Sequence, residues 1–171
     1  MISIQQIPFG PESFAENPED RCPCVLVLDV SSSMAGQAIN ELQQGLIQYR
    51  DELLDDSLAS KRVEIAVITF GNTIRVEHDF ATARSFVVPL LTANGMTPMA
   101  GALLEAVRLV ESRKRVYRQN GINYYRPWIF LITDGGPNDG AELWEQAKNA
   151  LTGGVERKAF SFFAVGVQGV F

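Results

Sequence analysis

Apolar residues recur along the chain in two patterns, short continuous runs and longer stretches with helical spacing. Continuous apolar runs of strand length are typical of strands buried on both faces of a parallel sheet. Two such runs predict strands at 24–29 and 128–133, and the mainly apolar segments 63–70 and 159–167 are also interpreted as strands. Residues 73–80 alternate in polarity after the turn signal at Gly71-Asn72, so we expect a hairpin whose second strand is an antiparallel edge.

Helical spacing marks the stretches between these strands. The predicted helices cover 37–58, 99–117 and a stretch from Asn138 or Asp139 to about 151. Thr97 and Pro98 give the second helix a start signal, and Asn138 or Asp139 is expected to cap the third. Residues 83–91 fit neither pattern. Strands that alternate with helices predict an open α/β sheet.

Composition and charge limit the functions open to the chain. Its 171 residues suit one domain, and 46% hydrophobic with 20% charged residues is a globular balance. The net charge of −5 disfavours nucleic acid, whose phosphates reward positive charge. Cys22 and Cys24 stand too close for an easy disulfide and lack the second pair that a zinc site needs.

The two ends of the sequence carry expectations about organisation. Residues 1–21 are rich in Pro, Glu, Asn and Gln, which predicts an N-terminal arm before a domain over 22–171. The arm lacks the basic start and apolar core of a signal peptide, and no stretch reaches the roughly 18–20 apolar residues of a membrane span. We therefore expect a cytoplasmic protein. Because the sequence stops just after the last predicted strand, we also expect a domain that lacks its last helix.

Oxygen-bearing side chains gather where strands end and helices begin. In open α/β sheets, ligands sit at the carboxyl ends of the strands. Asp29, Ser31 and Ser33 leave the first strand at alternate positions, Thr97 opens the second helix, and Asp134 directly follows the fourth strand. This set has no Cys or His, and hard oxygen ligands suit Mg²⁺, with Mn²⁺ or Ca²⁺ as alternatives. Because hydroxyls are weak neutral ligands, one coordination position is expected to stay open for an outside oxygen.

Four of these five residues also have a purely structural explanation. Thr97 can cap its own helix, and Ser31 and Ser33 can cap the first helix. Asp134 stands before Gly-Gly-Pro, where it suits a turn. The joint occurrence of all five residues at strand ends or helix starts favours the metal site over these separate explanations.

Three motifs carry a resemblance to a known family. Asp29-Val-Ser31-Ser-Ser33, the turn Gly95-Met-Thr97-Pro98 and Ile132-Thr133-Asp134-Gly135 resemble the metal-ion-dependent adhesion site of von Willebrand factor A (VWA) domains. The likeness covers about residues 22–168 in motif order, spacing and intervening elements. Within the family the chain resembles the bacterial TerY-like subgroup of tellurium-resistance systems, through the helix after the serine loop and the approach Tyr124-Tyr125-Arg126-Pro127-Trp128.

The resemblance implies a fold, a cofactor and a kind of partner. The fold would be a Rossmann-like, doubly wound sheet, mostly parallel with one antiparallel edge strand and helices on both faces. Ser31, Ser33 and Thr97 would hold Mg²⁺, with Asp29 and Asp134 acting directly or through water. The vacant position would take a Glu or Asp from a partner protein. The TerY-like likeness implies phosphatase or kinase-like partners in a stress response.

Two other functional classes compete with this binding module. A Mg²⁺-dependent phosphatase-like hydrolase could use Asp29 as its nucleophile, but the second acid that such enzymes carry two residues later is replaced by Ser31, and no Lys stands near the motifs. Nucleotide binding lacks a glycine-rich phosphate loop after the first strand. The sequence therefore favours a protein that is not an enzyme.

Three further features of the sequence, a basic cluster, a histidine and a phenylalanine, are not expected to belong to the metal site. Arg113-Lys114-Arg115, with the nearby arginines, is interpreted as the solvated end of a helix, with a docking patch for an acidic partner as the alternative. His78 has no second His or Cys beside it, so we expect a structural or exposed residue. Phe14 in the arm could pack on the domain or lie in a tail, and the sequence leaves both open.

Overall fold

A five-stranded sheet organises the computed structural model, which describes Phe14 and residues 16–167. The strands are β1 (Cys22–Asp29), β2 (Val63–Phe70), β3 (Ile74–Thr82), β4 (Trp128–Thr133) and β5 (Ser161–Gly166). Their order is β3-β2-β1-β4-β5. All neighbours pair in parallel except β2 and β3, which form an antiparallel hairpin at one edge. The predicted mostly parallel sheet with one antiparallel edge strand is confirmed.

Helices cover both faces of this sheet. They are α1 (Gln37–Asp55), the short α2 (Ala59–Arg62), α3 (Met99–Gln119) and α4 (Ala141–Glu156). Val25 and Val27 of β1 point into the core beneath α3 and α4, whereas Leu26 and Leu28 point into the core beneath α1. Successive residues of a strand face opposite sides of the sheet. Because β1 is covered on both sides, its apolar run is unbroken. No helix among the described residues combines the length and the apolar character needed to cross a membrane.

The first helix is shorter than predicted because a side chain ends it. Its predicted range was 37–58, but α1 stops at Asp55. The carboxylate of Asp56 accepts the backbone N–H groups of Leu58 and Ala59, both at 2.8 Å. Such local bonds compete with the helical ladder and favour a new start, so a separate short helix follows.

The predicted cap of the last helix is wrong. The helix α4 begins after Gly140, and no side chain caps it. The carboxylate of Asp139 instead accepts the backbone N–H of Ala100 at 2.8 Å and lies 3.4 Å from that of Gly101, in the first turn of α3. The unpaired N–H groups at a helix start can be satisfied by any nearby acceptor, so Asp139 caps the helix that is adjacent in space rather than the one that follows in sequence.

The interpretation of Arg113-Lys114 as a solvated helix end is also wrong. Both residues are buried, and a guanidinium nitrogen of Arg113 donates to the carboxylate of Glu64, itself buried on β2. Arg21 approaches the other oxygen of Glu64, at 2.9 Å. One carboxylate therefore holds two guanidinium groups at the end of the sheet where β1 and β2 begin.

The arm packs on the domain at Phe14. Its buried ring meets the Tyr117 ring edge-on, with centroids 6.4 Å apart. The guanidinium carbons of Arg21 and Arg113 lie 5.6 and 5.5 Å from the centroid of Phe14, within the range of cation–π attraction. The rest of the predicted arm, residues 1–13 and 15, lies outside the described residues. Residues 168–171 also lie outside them, so the expectation that the domain lacks its last helix stays a prediction.

Part of the sheet on the α1 side is uncovered. Trp128, Phe163 and Val165 expose nearly half of their surface there, and the rings of Phe130 and Phe163 stack at 5.1 Å. A groove of about 400 Å³ with largely apolar walls runs between α1 and β4. The opposite face carries two long helices, so the two sides of the sheet are covered unequally.

Candidate metal site

Three loops meet at the end of the sheet where β1 and β4 finish. The backbone N–H of Ser32 donates to the carbonyl of Gly95 at 3.0 Å, and the N–H of Gly95 donates back to the Ser32 hydroxyl at 2.9 Å. The hydroxyl of Ser33 donates to the carboxylate of Asp134 at 2.9 Å. These bonds tie the serine loop after β1 both to the Thr97 loop and to the loop after β4.

Asp29 is the buried centre of this region. It is fully inaccessible to solvent, at the last position of β1. One of its carboxylate oxygens accepts the backbone N–H of Ser31 at 2.9 Å, and the other accepts the hydroxyl of Thr133 at 2.6 Å. A carboxylate has about four acceptor positions, so both oxygens retain capacity for a further partner.

Thr133 supports the candidate site, a role that the sequence did not predict. It belongs to the motif that contains Asp134. In the structure its hydroxyl orients Asp29 from the neighbouring parallel strand, 104 positions away. Its position in the sequence could have indicated this role. Thr133 is a hydroxyl residue at the end of a parallel strand, and such a residue lies level with Asp29 if that strand is next to β1.

A chain of hydroxyl groups joins four of the five predicted residues. The Ser31 and Ser33 hydroxyl oxygens lie 3.1 Å apart, and Ser33 continues the chain to Asp134. Ser31 joins it to Asp29 through its backbone N–H. The structure therefore brings Asp29, Ser31, Ser33 and Asp134 into one hydrogen-bonded cluster.

Thr97 is held beside this cluster by backbone contacts. Its N–H donates to the side-chain oxygen of Asn138 at 3.1 Å, and its carbonyl accepts the N–H of Asn138 at 3.2 Å. The loop bond between Gly95 and Ser32 fixes the same segment to the serine loop. No hydrogen bond among the described residues joins the Thr97 hydroxyl to the other four residues.

The separate structural explanations of four of these residues do not account for them. The residue before α1 is Gly36 and the residue before α3 is Pro98, so none of Ser31, Ser33 and Thr97 occupies the cap position of these helices. In the turn after β4, the Thr133 hydroxyl oxygen accepts the backbone N–H of Gly135 at 3.2 Å and lies 3.2 Å from the carbonyl oxygen of Gly135. The carboxylate of Asp134 instead accepts a hydrogen bond from the Ser33 hydroxyl.

The residues fit a hard divalent cation. None of the ion pairs among the described residues involves Asp29 or Asp134. The loops 30–36, 94–98 and 134–140 contain no Lys or Arg. An isolated buried carboxylate is unfavourable, and a cation would compensate the charge of Asp29. Because the described residues hold no group of three or more His, Cys, Asp or Glu suited to a metal, a site here depends on two carboxylates, three hydroxyls and water.

The geometry disfavours Asp29 as a nucleophile. Both of its oxygens accept a hydrogen bond, and the side chain is covered on all sides. A phosphatase-like reaction needs an accessible carboxylate and a general acid beside it. Asp29 instead lies beneath the hydroxyl groups of the serine loop, where it can stabilise a cation.

Gly95 shapes the loop that carries Thr97. Its φ is +85°, and a Cβ built there would lie 2.3 Å from the backbone N and Cα of Asn72 in the β2–β3 turn. Only glycine allows this close approach of two backbones in a left-handed conformation. The approach holds the Thr97 loop against the end of the sheet.

Replacing Gly95 by alanine is therefore expected to destabilise the fold by about 2–5 kcal/mol, from the positive φ and the steric overlap together. Gly36 is the matched control, since its φ is +89° and a Cβ there meets nothing within 4 Å. Gly36→Ala should lose only about 1–2 kcal/mol. Urea denaturation of both variants measures the difference, and equal losses would show that the contact with Asn72 is unimportant.

Known proteins similar to this chain share its fold. Two curated relatives are the inter-alpha-trypsin inhibitor heavy chains H3 of Mesocricetus auratus, 26% identical over 85% of this chain, and H4 of Homo sapiens, 27% identical over 92%. The chain spans 16% and 17% of their lengths. The solved structure of the manganese-loaded TRAP protein of Plasmodium vivax has a TM-score of 0.58 at 20% identity, over 88% of this chain and 59% of that one. The family model of the von Willebrand factor type A domain matches residues 24–170, and the chain therefore belongs to that family.

Proposed function

We propose that this chain is a metal-dependent protein-interaction module rather than an enzyme. Asp29, Ser31, Ser33, Thr97 and Asp134 would hold one divalent cation, Mg²⁺ in the first place, with Mn²⁺ or Ca²⁺ as alternatives. The observation that carries the proposal is the buried carboxylate of Asp29, which has no cationic partner among the described residues and is joined through hydroxyl groups to a second carboxylate. The manganese carried by the TRAP protein of similar fold supports the same kind of site.

The bound cation would supply a Lewis-acidic position that accepts one oxygen of a Glu or Asp from a partner protein. The residues of this chain prepare that position. Thr133 and the N–H of Ser31 orient Asp29, Ser33 orients Asp134, and Asn138 fixes the Thr97 backbone. Two carboxylates balance but do not exceed the charge of one divalent cation, and hydroxyls add none, so the site carries no surplus negative charge that would repel a further anionic oxygen from the metal.

A finer assignment rests on the sequence resemblance to the TerY-like subgroup. In this part of the proposal the protein is bacterial and cytoplasmic, belongs to a tellurium-resistance or stress-response system, and binds phosphatase or kinase-like proteins of that system. The support is the likeness of the helix after the serine loop and of residues 124–128. A deletion strain that tolerates tellurite as well as its parent would remove this assignment.

Peptide binding tests the interaction function directly. We expect immobilised chain to retain short Glu- or Asp-containing peptides in Mg²⁺ and to release them in excess chelator. Matched peptides with Gln or Asn should not be retained, because a neutral amide oxygen is a weaker ligand than a carboxylate. Retention of the acidic peptides that persists unchanged in chelator would refute capture through a metal.

A further inference from the structure

A groove of about 430 Å³ opens beside the candidate metal site, between the β2–β3 hairpin and the segment that leads to Thr97. Its walls are mainly polar. Asn72, Thr73, Thr92 and Asn94 line it and are exposed to solvent. Side-chain amides both donate and accept hydrogen bonds, so Asn72 and Asn94 suit the alternating N–H and C=O groups of a peptide backbone.

This groove lies next to the metal site at Val30. Val30 lines it and stands between Asp29 and Ser31 in the chain. The Val30 carbonyl accepts the N–H of Asn94 at 2.7 Å, and a Cβ on Gly71 would lie 2.4 Å from the Asn94 carbonyl oxygen. A segment bound at the metal would therefore meet the groove as soon as it leaves the site.

Arg75 gives the groove a specific charge. The chain has 15 Lys and Arg residues, and Arg75 is the one that lies in the loops and strand ends at this end of the sheet. Its side chain is 69% exposed, and its Nε lies a long 3.6 Å from Glu77, which already accepts the Thr69 hydroxyl at 2.8 Å. The two terminal guanidinium nitrogens make no hydrogen bond to a described residue, so they can receive an outside carboxylate.

The sheet register gives the backbone spacing between Asp29 and the neighbour of Arg75. Asp29 is paired with Phe70 and Phe70 with Ile74, the neighbour of Arg75, so two strand spacings separate the site from Arg75. Two spacings are roughly 10 Å. An extended chain covers that distance in about three residues.

We propose that the partner segment is extended and diacidic. One carboxylate occupies the metal site, the backbone crosses Asn72 and Asn94, and a second carboxylate, about two to four residues along, pairs with Arg75. This inference rests on the proposed function and adds the class of partner to it. The two acidic groups of the segment match two positive positions of this chain, the metal ion and Arg75. No other Lys or Arg lies at this end of the sheet.

Two end-blocked peptides test the inference, Glu-Gly-Gly-Glu and Glu-Gly-Gly-Gln, titrated in Mg²⁺ into ¹⁵N-labelled chain and followed by amide shifts. Either carboxylate of the first peptide can occupy the metal, which doubles its affinity statistically. An exposed ion pair adds about two- to fivefold, so we expect a ratio of about four- to tenfold. In Arg75→Gln the ratio should fall to about twofold, with Mg²⁺ affinity and the binding of the monoacidic peptide unchanged.

Arg115→Gln is the matched control, because Arg115 is an exposed arginine toward the far end of α3 and should leave the ratio as in the native chain. A ratio that survives Arg75→Gln, or a native ratio of only about twofold, overturns the diacidic inference and leaves the proposed function standing. If neither peptide binds in a Mg²⁺-dependent way, the inference and the proposed function both fail.

Discussion

The Asp29→Asn variant is expected to fold at least as stably as the native chain without metal and to lose Mg²⁺ affinity by roughly 100-fold or more. The asparagine oxygen can still accept the N–H of Ser31, and its amide group can donate to the Thr133 hydroxyl. Removing a buried charge that has no cationic partner relieves its desolvation. The same change deprives Mg²⁺ of a negative oxygen ligand, which a neutral amide replaces poorly.

Thermal unfolding with and without Mg²⁺ measures both halves of this prediction. A ligand at a hundred times its Kd stabilises the native state by about 2.7 kcal/mol, and this gain should disappear in Asp29→Asn. Asp51→Asn removes the same charge from an exposed position on α1 and should keep the full response to Mg²⁺. Equal stabilisation of Asp29→Asn and the native chain by Mg²⁺ would exclude Asp29 from the site.

The Glu64→Gln variant is expected to lose about 3–5 kcal/mol of stability, the typical loss when one member of a buried ion pair is removed. Glu64 is the buried carboxylate between Arg21 and Arg113. Without its charge both guanidinium groups remain buried beside the aromatic rings of Phe14, Phe80 and Tyr117, and Arg21 keeps its hydrogen bonds to the backbone carbonyls of Asn17 and Glu19. Their cation–π attraction is worth about 0.5–2 kcal/mol at each contact, which does not replace the ion pair.

Guanidinium chloride denaturation measures this loss, with Glu145→Gln as the control. Glu145 pairs with Lys148 on α4, and both side chains are about half exposed, so its replacement should change stability by less than about 1 kcal/mol. Glu64 lies at the opposite end of β2 from Phe70, the residue level with Asp29. The folded Glu64→Gln protein should therefore bind Mg²⁺ as the native chain does. A loss of stability no larger than that of Glu145→Gln would contradict the role assigned to the cluster.

The sheet was predictable because each central strand carries its own signal. A short continuous apolar run such as Val25 to Leu28 is typical of a strand buried on both faces. The turn residues Gly71 and Asn72 predict the hairpin. The ends of helices were less predictable. Asp139 looks in sequence like the cap of α4 but caps α3, because the two helix starts lie side by side and the carboxylate reaches the other one.

The buried ion cluster shows a different limit of sequence reasoning. Arg113-Lys114-Arg115 has the composition of a solvated helix end, and nothing near it in the sequence indicates burial. Its partner Glu64 stands 49 positions earlier and is itself hidden in an apolar strand. Only the packing of α3 against β2 brings the two charges together, so the sequence alone could not pair them.

The candidate site was predictable in its residues but not in its connections. The chemistry of the motifs singled out Asp29, Ser31, Ser33, Thr97 and Asp134, and the position of ligands in α/β sheets indicated that they would converge. The hydrogen bonds that orient them come from Thr133 and Asn138, whose roles depend on which strand and loop lie beside which. That adjacency is a property of the sheet order, which no local pattern contains.

A Mg²⁺ titration of the ¹⁵N-labelled native chain, followed by amide chemical shifts, tests directly whether these residues bind a metal ion. We expect one ion to bind per chain and the shifts to concentrate in residues 29–34, 95–98 and 134–138, with reversal by chelator and no such response in Asp29→Asn. Shifts confined to another acidic region, such as Asp55 and Asp56 at the end of α1, or no saturable response at all, would contradict it.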